Sequence, residues 1–386
     1  MDRVHSKCAH SKHVGILDTI EIGRGGWIWI LISLLVLNYQ IWMNNTLYTI
    51  LCMVADESMK CLKRYSILTF FLLNVTRWII LYFVSEQLSS VIVYGVISLC
   101  IGMESIMGIS GASGFIGVIM RYLSVMQLMK GISYILARRE VAILGMDDEL
   151  IEKPKEEISL LRFILFPTMC YQQEYPVAAS VSKYMVCMYL LMLLPLILFT
   201  YYCFSIKCYF FGNCFWKEPT VDTYIKIFMW CNLGWISGFI MVFIVFFGLL
   251  SEITRFNDRS FFEAWWNASV SNYWRKWNSQ VHRWIKRHVH RALIKKNITV
   301  RSSRITIFLV SGLVHEYIIG DVLKYRGIGF LSMASQVPLD SFIKLGNNWV
   351  KLNQEIAVTF AFNFIGAPAL VLVSVMPRDF FSLKMK

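Results

Sequence analysis

Apolar residues along this chain fall in blocks long enough to cross a hydrocarbon layer, separated by short polar connections. A helix needs about 20 predominantly apolar residues to span one. Runs of that kind lie at 26–43, 66–84, 90–107, 112–136, 184–205, 225–250, 305–323, 327–345 and 355–376. The first, fifth, sixth and last are the clearest. The third is interrupted by Ser, Gly and Glu104, and 327–345 contains Gln336, Pro338 and Asp340. The pattern predicts an all-α integral membrane protein with eight or nine transmembrane helices. Residues 1–25 are polar and are expected to form a short cytosolic segment, with no signal peptide. Residues 26–386 then form one membrane-embedded domain. Arg77, inside the second run, is expected near an interface or snorkelling toward one. No internal repeat or inverted pair stands out, which disfavours a transporter built from duplicated halves.

The stretch 256–300 breaks the pattern. Tyr273, Trp277, Val281, Trp284 and His288 recur at spacings of 4, 4, 3 and 4, one face of a helix. Arg275, Lys276, Arg283, Lys286 and Arg287 fall largely elsewhere. Such a helix can lie along the headgroup layer, with indoles at the apolar boundary and guanidinium groups among anionic phosphates. Five of the 13 Trp residues fall within 20 positions here, Trp265 to Trp284. An ordinary positive-inside loop with an aromatic belt explains the charges. It does not explain that density of Trp, or Asn267 beside Trp265 and Trp266.

Composition agrees with lipid as solvent. The chain is 56% hydrophobic and 16% charged, with mean hydropathy +0.53, whereas soluble domains carry roughly 25% charged residues. Net charge is +13, and between Arg255 and Arg304 there are 12 Lys or Arg against Asp258 and Glu263. A basic tract beside membrane spans reads as a contact for anionic phospholipid headgroups or an anionic substrate. No soluble domain is left to present nucleic acid. The acidic cluster 147–157 reads as a solvated loop. The ten cysteines show no metal spacing; Cys208 and Cys214 flank a polar loop and would be able to pair if it were luminal.

His315 and Glu316 sit in an otherwise apolar run, FLVSGLVHEYIIG. Ionisable groups at that depth need a cavity or a partner. A neutral imidazole is the less costly form, and it can accept a proton. Glu316, one residue on, points about 100° away, so it either holds substrate or ties a neighbouring helix. A purely structural polar pair is the plain alternative. If His315 is a general base, the matching substrate is an alcohol dissolved in lipid, attacking an electrophile activated beforehand. A thioester on a CoA carrier is such an electrophile, and its phosphates suit the basic tract. Asn267 is the candidate donor of a hydrogen bond to a developing oxyanion. There is no G-x-S-x-G element and no Cys beside His315, so direct attack is the economical route, and transfer from a thioester needs no metal.

These residues resemble a known family. FNDRSFFEAWWNASVSNYWRKWNSQVHRWIKRHVH, from Phe256 to His290, is similar to the F-x-D-R-x-F-Y-x-D-W-W-N signature of the membrane-bound O-acyltransferases and the W-N-x-x-V-H-x-W-x-x-R-H run that follows it. The match is to the branch containing the acyl-CoA:diacylglycerol and acyl-CoA:cholesterol acyltransferases. SGLVHEY (Ser311 to Tyr317) resembles the segment with the family's catalytic histidine. FPTMCYQQEYP (Phe166 to Pro176) resembles its P-T-L-C-Y…Y-P segment, and MQLMKGISY its L-K-x-x-S-Y element. The four motifs stand in the family's order and tie residues 120–376 to it.

The resemblance implies a multispanning fold around an intramembrane chamber, multi-pass in the endoplasmic reticulum membrane, and a homodimer or higher homo-oligomer. Acyl-CoA would be the co-substrate, with no permanently bound cofactor and no metal. His315 would be the catalytic base, Asn267 its polar support, and Glu316 a residue positioning the acceptor. Substrate contacts would come from Gln336, Trp265, Trp266, Trp274, Trp277, His282 and Arg287, with Tyr171 and Gln172 at the mouth. Gln336, in ASQVPLD, resembles a chamber glutamine of the diacylglycerol enzymes, and with Arg287–His288 it favours diacylglycerol over a sterol. Two places depart from the pattern: Glu263–Ala264 before Trp265, and Ala367 where the family's G-Q-P segment has Gln. Sterol acylation is the rival chemistry, and a transporter or scaffold the non-enzymatic rival.

Overall fold

The computed structural model describes residues 52–54, 56, 66–85, 89–109, 114–147, 158–258, 270–320, 323, 325–350 and 365–377. The predicted span 26–43 and the residues Trp265, Trp266 and Asn267 lie outside them. Among the described residues all regular structure is helical, apart from one isolated antiparallel bridge between Val177 and Phe256.

The helices begin with α1 (Ser66–Val84), α2 (Ser90–Ile109), α3 (Gly114–Asp147) and the short α4 (Leu160–Leu165). Two long helices follow: α5 (Lys183–Lys217) and α6 (Val221–Thr254), each with an internal π-helical stretch, Tyr202–Cys208 and Ile240–Phe246. Next come α7 (Val270–Lys276) and α8, which runs through Ser279–Ile285, a π-turn Lys286–His290 and Arg291–Lys295. The last are α9 (Val300–Ile319), α10 (Ile328–Ala334), α11 (Gln336–Val350) and α12 (Ala367–Val375).

Side-chain oxygens set several of the starts. Ser182, Thr220, Asn278 and Thr299 each accept the N–H three residues on, at 3.1–3.3 Å, which satisfies an amide that has no partner inside the helix. By length and composition, four of the described helices can cross a membrane: Ile67–Val84, Gly114–Ile143, Lys183–Lys217 and Val221–Thr254. Ser90–Glu104 is apolar but shorter. The predicted run 327–345 is broken at Ser335 into α10 and α11.

Two sequence expectations are corrected. Arg77 does not snorkel. It is fully buried, ion-paired with Glu104 of α2, and donates to Asn74 Oδ1 and Ser124 O at 3.1 Å each. A charge at membrane depth is tolerable once paired and hydrogen-bonded. Second, the face Tyr273–His288 does not belong to one continuous helix. The chain turns at Trp277 and Asn278, where Asn278 caps the start of α8. That face also packs on protein. Trp277 stacks on Trp235 of α6 (centroids 4.7 Å, 10°), and the Trp284 indole donates to Met129 O at 2.7 Å. Cys208 and Cys214, a pairing the sequence left open, are free thiols.

Candidate active site

The signature residues upstream of the histidine helix build a buried cap. Lys130 of α3 donates to the carbonyls of Ile164 (2.7 Å) and Phe166 (2.6 Å) at the end of α4, where the helix leaves its last carbonyls without intrahelical partners. Ser133, one turn on, takes the Tyr171 N–H at 2.8 Å and sits 2.7 Å from His288 Nε2. The Arg287 guanidinium donates to Tyr171 O at 2.8 Å. Aromatic edges close the space: Tyr134 and Phe163 meet Tyr171 at 5.0 and 5.1 Å, and Phe166 meets Phe256 at 4.8 Å. Tyr171, Gln172 and Arg287 are therefore buried in this cap. Within the segment 166–176 it is Met169 that reaches the adjoining cavity. Burial pushes the Cys170 thiol up to about 11 despite Arg287 and Arg283 nearby, so it stays protonated and is no nucleophile at neutral pH.

That cavity measures about 2310 Å³, well beyond the roughly 300–1,000 Å³ of pockets for drug-sized ligands. Its walls come from α2, α3 and every helix from α5 to α12, and most are apolar: Val125, Met126 and Met129 on α3, Trp235, Phe239 and Phe243 on α6. His315, Trp274, Trp277, His282 and Gln336 all line it. So do four cations, Arg275, Lys286, Arg301 and Arg304; Lys276, Arg283 and Arg287 are not among its lining residues. Burial, with Arg275 and Lys286 beside it, lowers His282 to about 4, so that imidazole is neutral at neutral pH. It can hydrogen-bond a ligand but adds no positive charge.

His315 sits on α9 with Nδ1 2.7 Å from the carbonyl of Ser311, one turn back, and 3.4 Å from the Ser311 hydroxyl. A carbonyl only accepts, so Nδ1 carries the proton and Nε2 is the basic nitrogen. Glu316, the next residue, points elsewhere, whereas Tyr317 also lines the cavity. Glu316 accepts the Gly327 N–H (2.7 Å) and the Phe330 N–H (3.2 Å), tying α9 to the start of α10. Gly327 adopts φ +90°, which a side chain would strain. A Cβ at Gly329 would lie 2.9 Å from the Glu316 Cα, so the two segments are in close backbone contact. Glu316 is absent from the cavity wall. Tyr317 donates to Glu104 Oε2 at 2.8 Å, and Ser124 Oγ donates to Oε1 at 3.0 Å. The Arg77–Glu104 pair thereby joins α1, α2 and α3 to the histidine helix.

Gln336 Nε2 donates to Ser332 O at 2.8 Å, while its buried Oε1 has no hydrogen-bond partner. Sequence reasoning passed over Ser311, Tyr317, Arg301 and Arg304. Ser311 was detectable as the residue one helical turn before His315; Arg301 and Arg304 as cations at the head of an apolar helix. Tyr317 had no signal, because its partner lies 213 positions away. Among the described residues no group of three or more His, Cys, Asp or Glu is arranged to hold a metal ion.

The membrane-bound O-acyltransferase family model matches residues 115–366. Among curated proteins, the chain is 30% identical over 231 residues to Glycine max "Diacylglycerol O-acyltransferase 1C", covering 56% of this chain and 44% of that protein. It is 32% identical over 194 residues to Arabidopsis thaliana "Diacylglycerol O-acyltransferase 1" (47% and 36%) and 26% identical over 242 residues to the Homo sapiens protein of that name (58% and 47%). The aligned region spans less than half the length of each of these relatives.

Proposed function

Because the chain belongs to the membrane-bound O-acyltransferase family, whose model covers well over half of it, we propose that it moves a fatty acyl group from acyl-CoA to diacylglycerol. The products are triacylglycerol and CoA. The observation that carries this reading is the tautomer of His315, a base with its acceptor nitrogen defined, on the wall of a large apolar cavity that also bears cations. The acceptor hydroxyl gives its proton to Nε2 as its oxygen attacks the thioester carbon. The carbon–sulfur bond then breaks, and the departing thiolate takes the proton back from the imidazolium. Asn267 is the proposed hydrogen-bond donor to the oxyanion. Arg275, Lys286, Arg301 and Arg304 are proposed to hold the CoA phosphates. Glu316 enters as the brace between α9 and the turn at Gly327, not as a contact to the acceptor. The same reading places the protein in the endoplasmic reticulum membrane as a homo-oligomer, on the strength of the family resemblance.

Diacylglycerol is favoured over a sterol by Gln336 and by the relatives' names. The test is to supply purified protein with labelled acyl-CoA and an equimolar mixture of diacylglycerol and cholesterol. Labelled triacylglycerol is the expected product; steryl ester as the sole product would reverse the assignment.

A further inference from the structure

Tyr122 lies on the face of α3 that lines the cavity, with Val118 before it and Val125, Met126 and Met129 after it. Its hydroxyl is the one polar side-chain group in that stripe. The oxygen is buried and has no hydrogen-bond partner. A buried hydroxyl without a partner is costly, and native structures rarely keep one unless a ligand or water completes it. The level along the cavity is also defined. The adjacent Arg121 donates to Ile318 O at 3.5 Å, so α3 meets α9 within one turn of His315. Gln336, which lines the same cavity, likewise keeps a buried acceptor, Oε1, without a donor.

The Tyr122 hydroxyl asks for a lipid that offers an acceptor apart from the hydroxyl that gives its proton to His315. Diacylglycerol offers ester carbonyls and a free hydroxyl, whereas a sterol offers only the hydroxyl. We propose that Tyr122 donates its hydroxyl proton in a hydrogen bond to an ester carbonyl of the acceptor lipid, and so selects acylglycerols. The inference rests on the acyl-transfer reading above and adds to it a residue that determines which alcohol is accepted.

The experiment uses Tyr122→Phe in the full chain, which removes one oxygen and leaves the ring. Wild type and variant are given labelled acyl-CoA with diacylglycerol, or with the dialkyl ether glycerol, which keeps the hydroxyl and chains but lacks carbonyls. Wild type is expected to favour the diacyl form by about tenfold in kcat/KM, the scale of one hydrogen bond from a buried group. Tyr122→Phe should raise the KM for diacylglycerol about tenfold, leave that for acyl-CoA unchanged and erase the preference over the ether. Three results would overturn the proposal. These are a variant that matches wild type throughout, meaning the hydroxyl meets only water; a change that falls on acyl-CoA; and a loss that persists with the ether lipid. Wild type acylating neither glycerol would sink the acyl-transfer reading itself, and an unchanged melting temperature separates all of these from misfolding.

Discussion

Three consecutive residues of α9 face three ways because successive helical positions turn by about 100°. His315 faces the cavity, Glu316 braces the start of α10, and Tyr317, also on the cavity wall, reaches Glu104. The two braces hold the turn carrying the imidazole from both sides, while the Ser311 carbonyl sets its tautomer. A second histidine, His282, shows how the cavity treats charge. Its folded pKa of about 4 lies below the ordinary value of 6.5. Between those values the unfolded chain binds a proton that the folded protein refuses. This contribution to stability is therefore complete above pH 6.5 and is lost as pH falls toward 4. Melting temperatures measured in detergent from pH 7.5 to 4.5 should fall for wild type, and fall less for His282→Gln. Equal slopes would mean that His282 is not desolvated in the folded state.

At the scale of elements, the helix assembly depends on buried polar ties between distant segments. The Arg77–Glu104 pair with Ser124 and Tyr317 links four helices. Removing one partner strands a buried charge, a loss of roughly 3–5 kcal/mol. Arg77→Met should lower the melting temperature sharply, and Arg77→Met with Glu104→Leu should recover most of the loss. Failure to recover would mean the pair contributes more than charge compensation. Much of this architecture was legible as periodicity: runs 66–84, 90–107, 112–136, 184–205 and 225–250 each became a helix within a few residues of the predicted ends or longer. The break at Asn278 was not, because the apolar spacing continues through it and only the capping bond to Val281 marks the new start. Spacing also identifies a buried face without saying whether lipid or protein covers it, which is why Trp284 was assigned to the bilayer boundary. Lys130, Ser133, Tyr171, Arg287 and His288 were legible as signature residues. Their joint work in the cap was hidden, since bonds such as Ser133 to His288 span 155 positions. His315 and Gln336 were legible for the opposite reason: a polar residue in an apolar run already implies a cavity.

For the whole molecule, charge and apolar volume are arranged around one space. Arg275, Lys286, Arg301 and Arg304 line the same cavity as the apolar faces of α3 and α6, with His315 on the wall that α9 forms. A substrate with phosphates at one end and a long chain at the other matches that division, and a lipid alcohol can share the apolar part. Four cations of the basic tract and the isolated histidine thus line one cavity although separate motifs carry them. The most direct test is acyl transfer by purified protein, comparing wild type with His315→Ala of equal melting temperature. The expected result is triacylglycerol and free CoA in equal amounts from wild type, with a roughly 10²–10⁴-fold loss of kcat in the variant. Undiminished transfer by His315→Ala would contradict the role of this imidazole as the base.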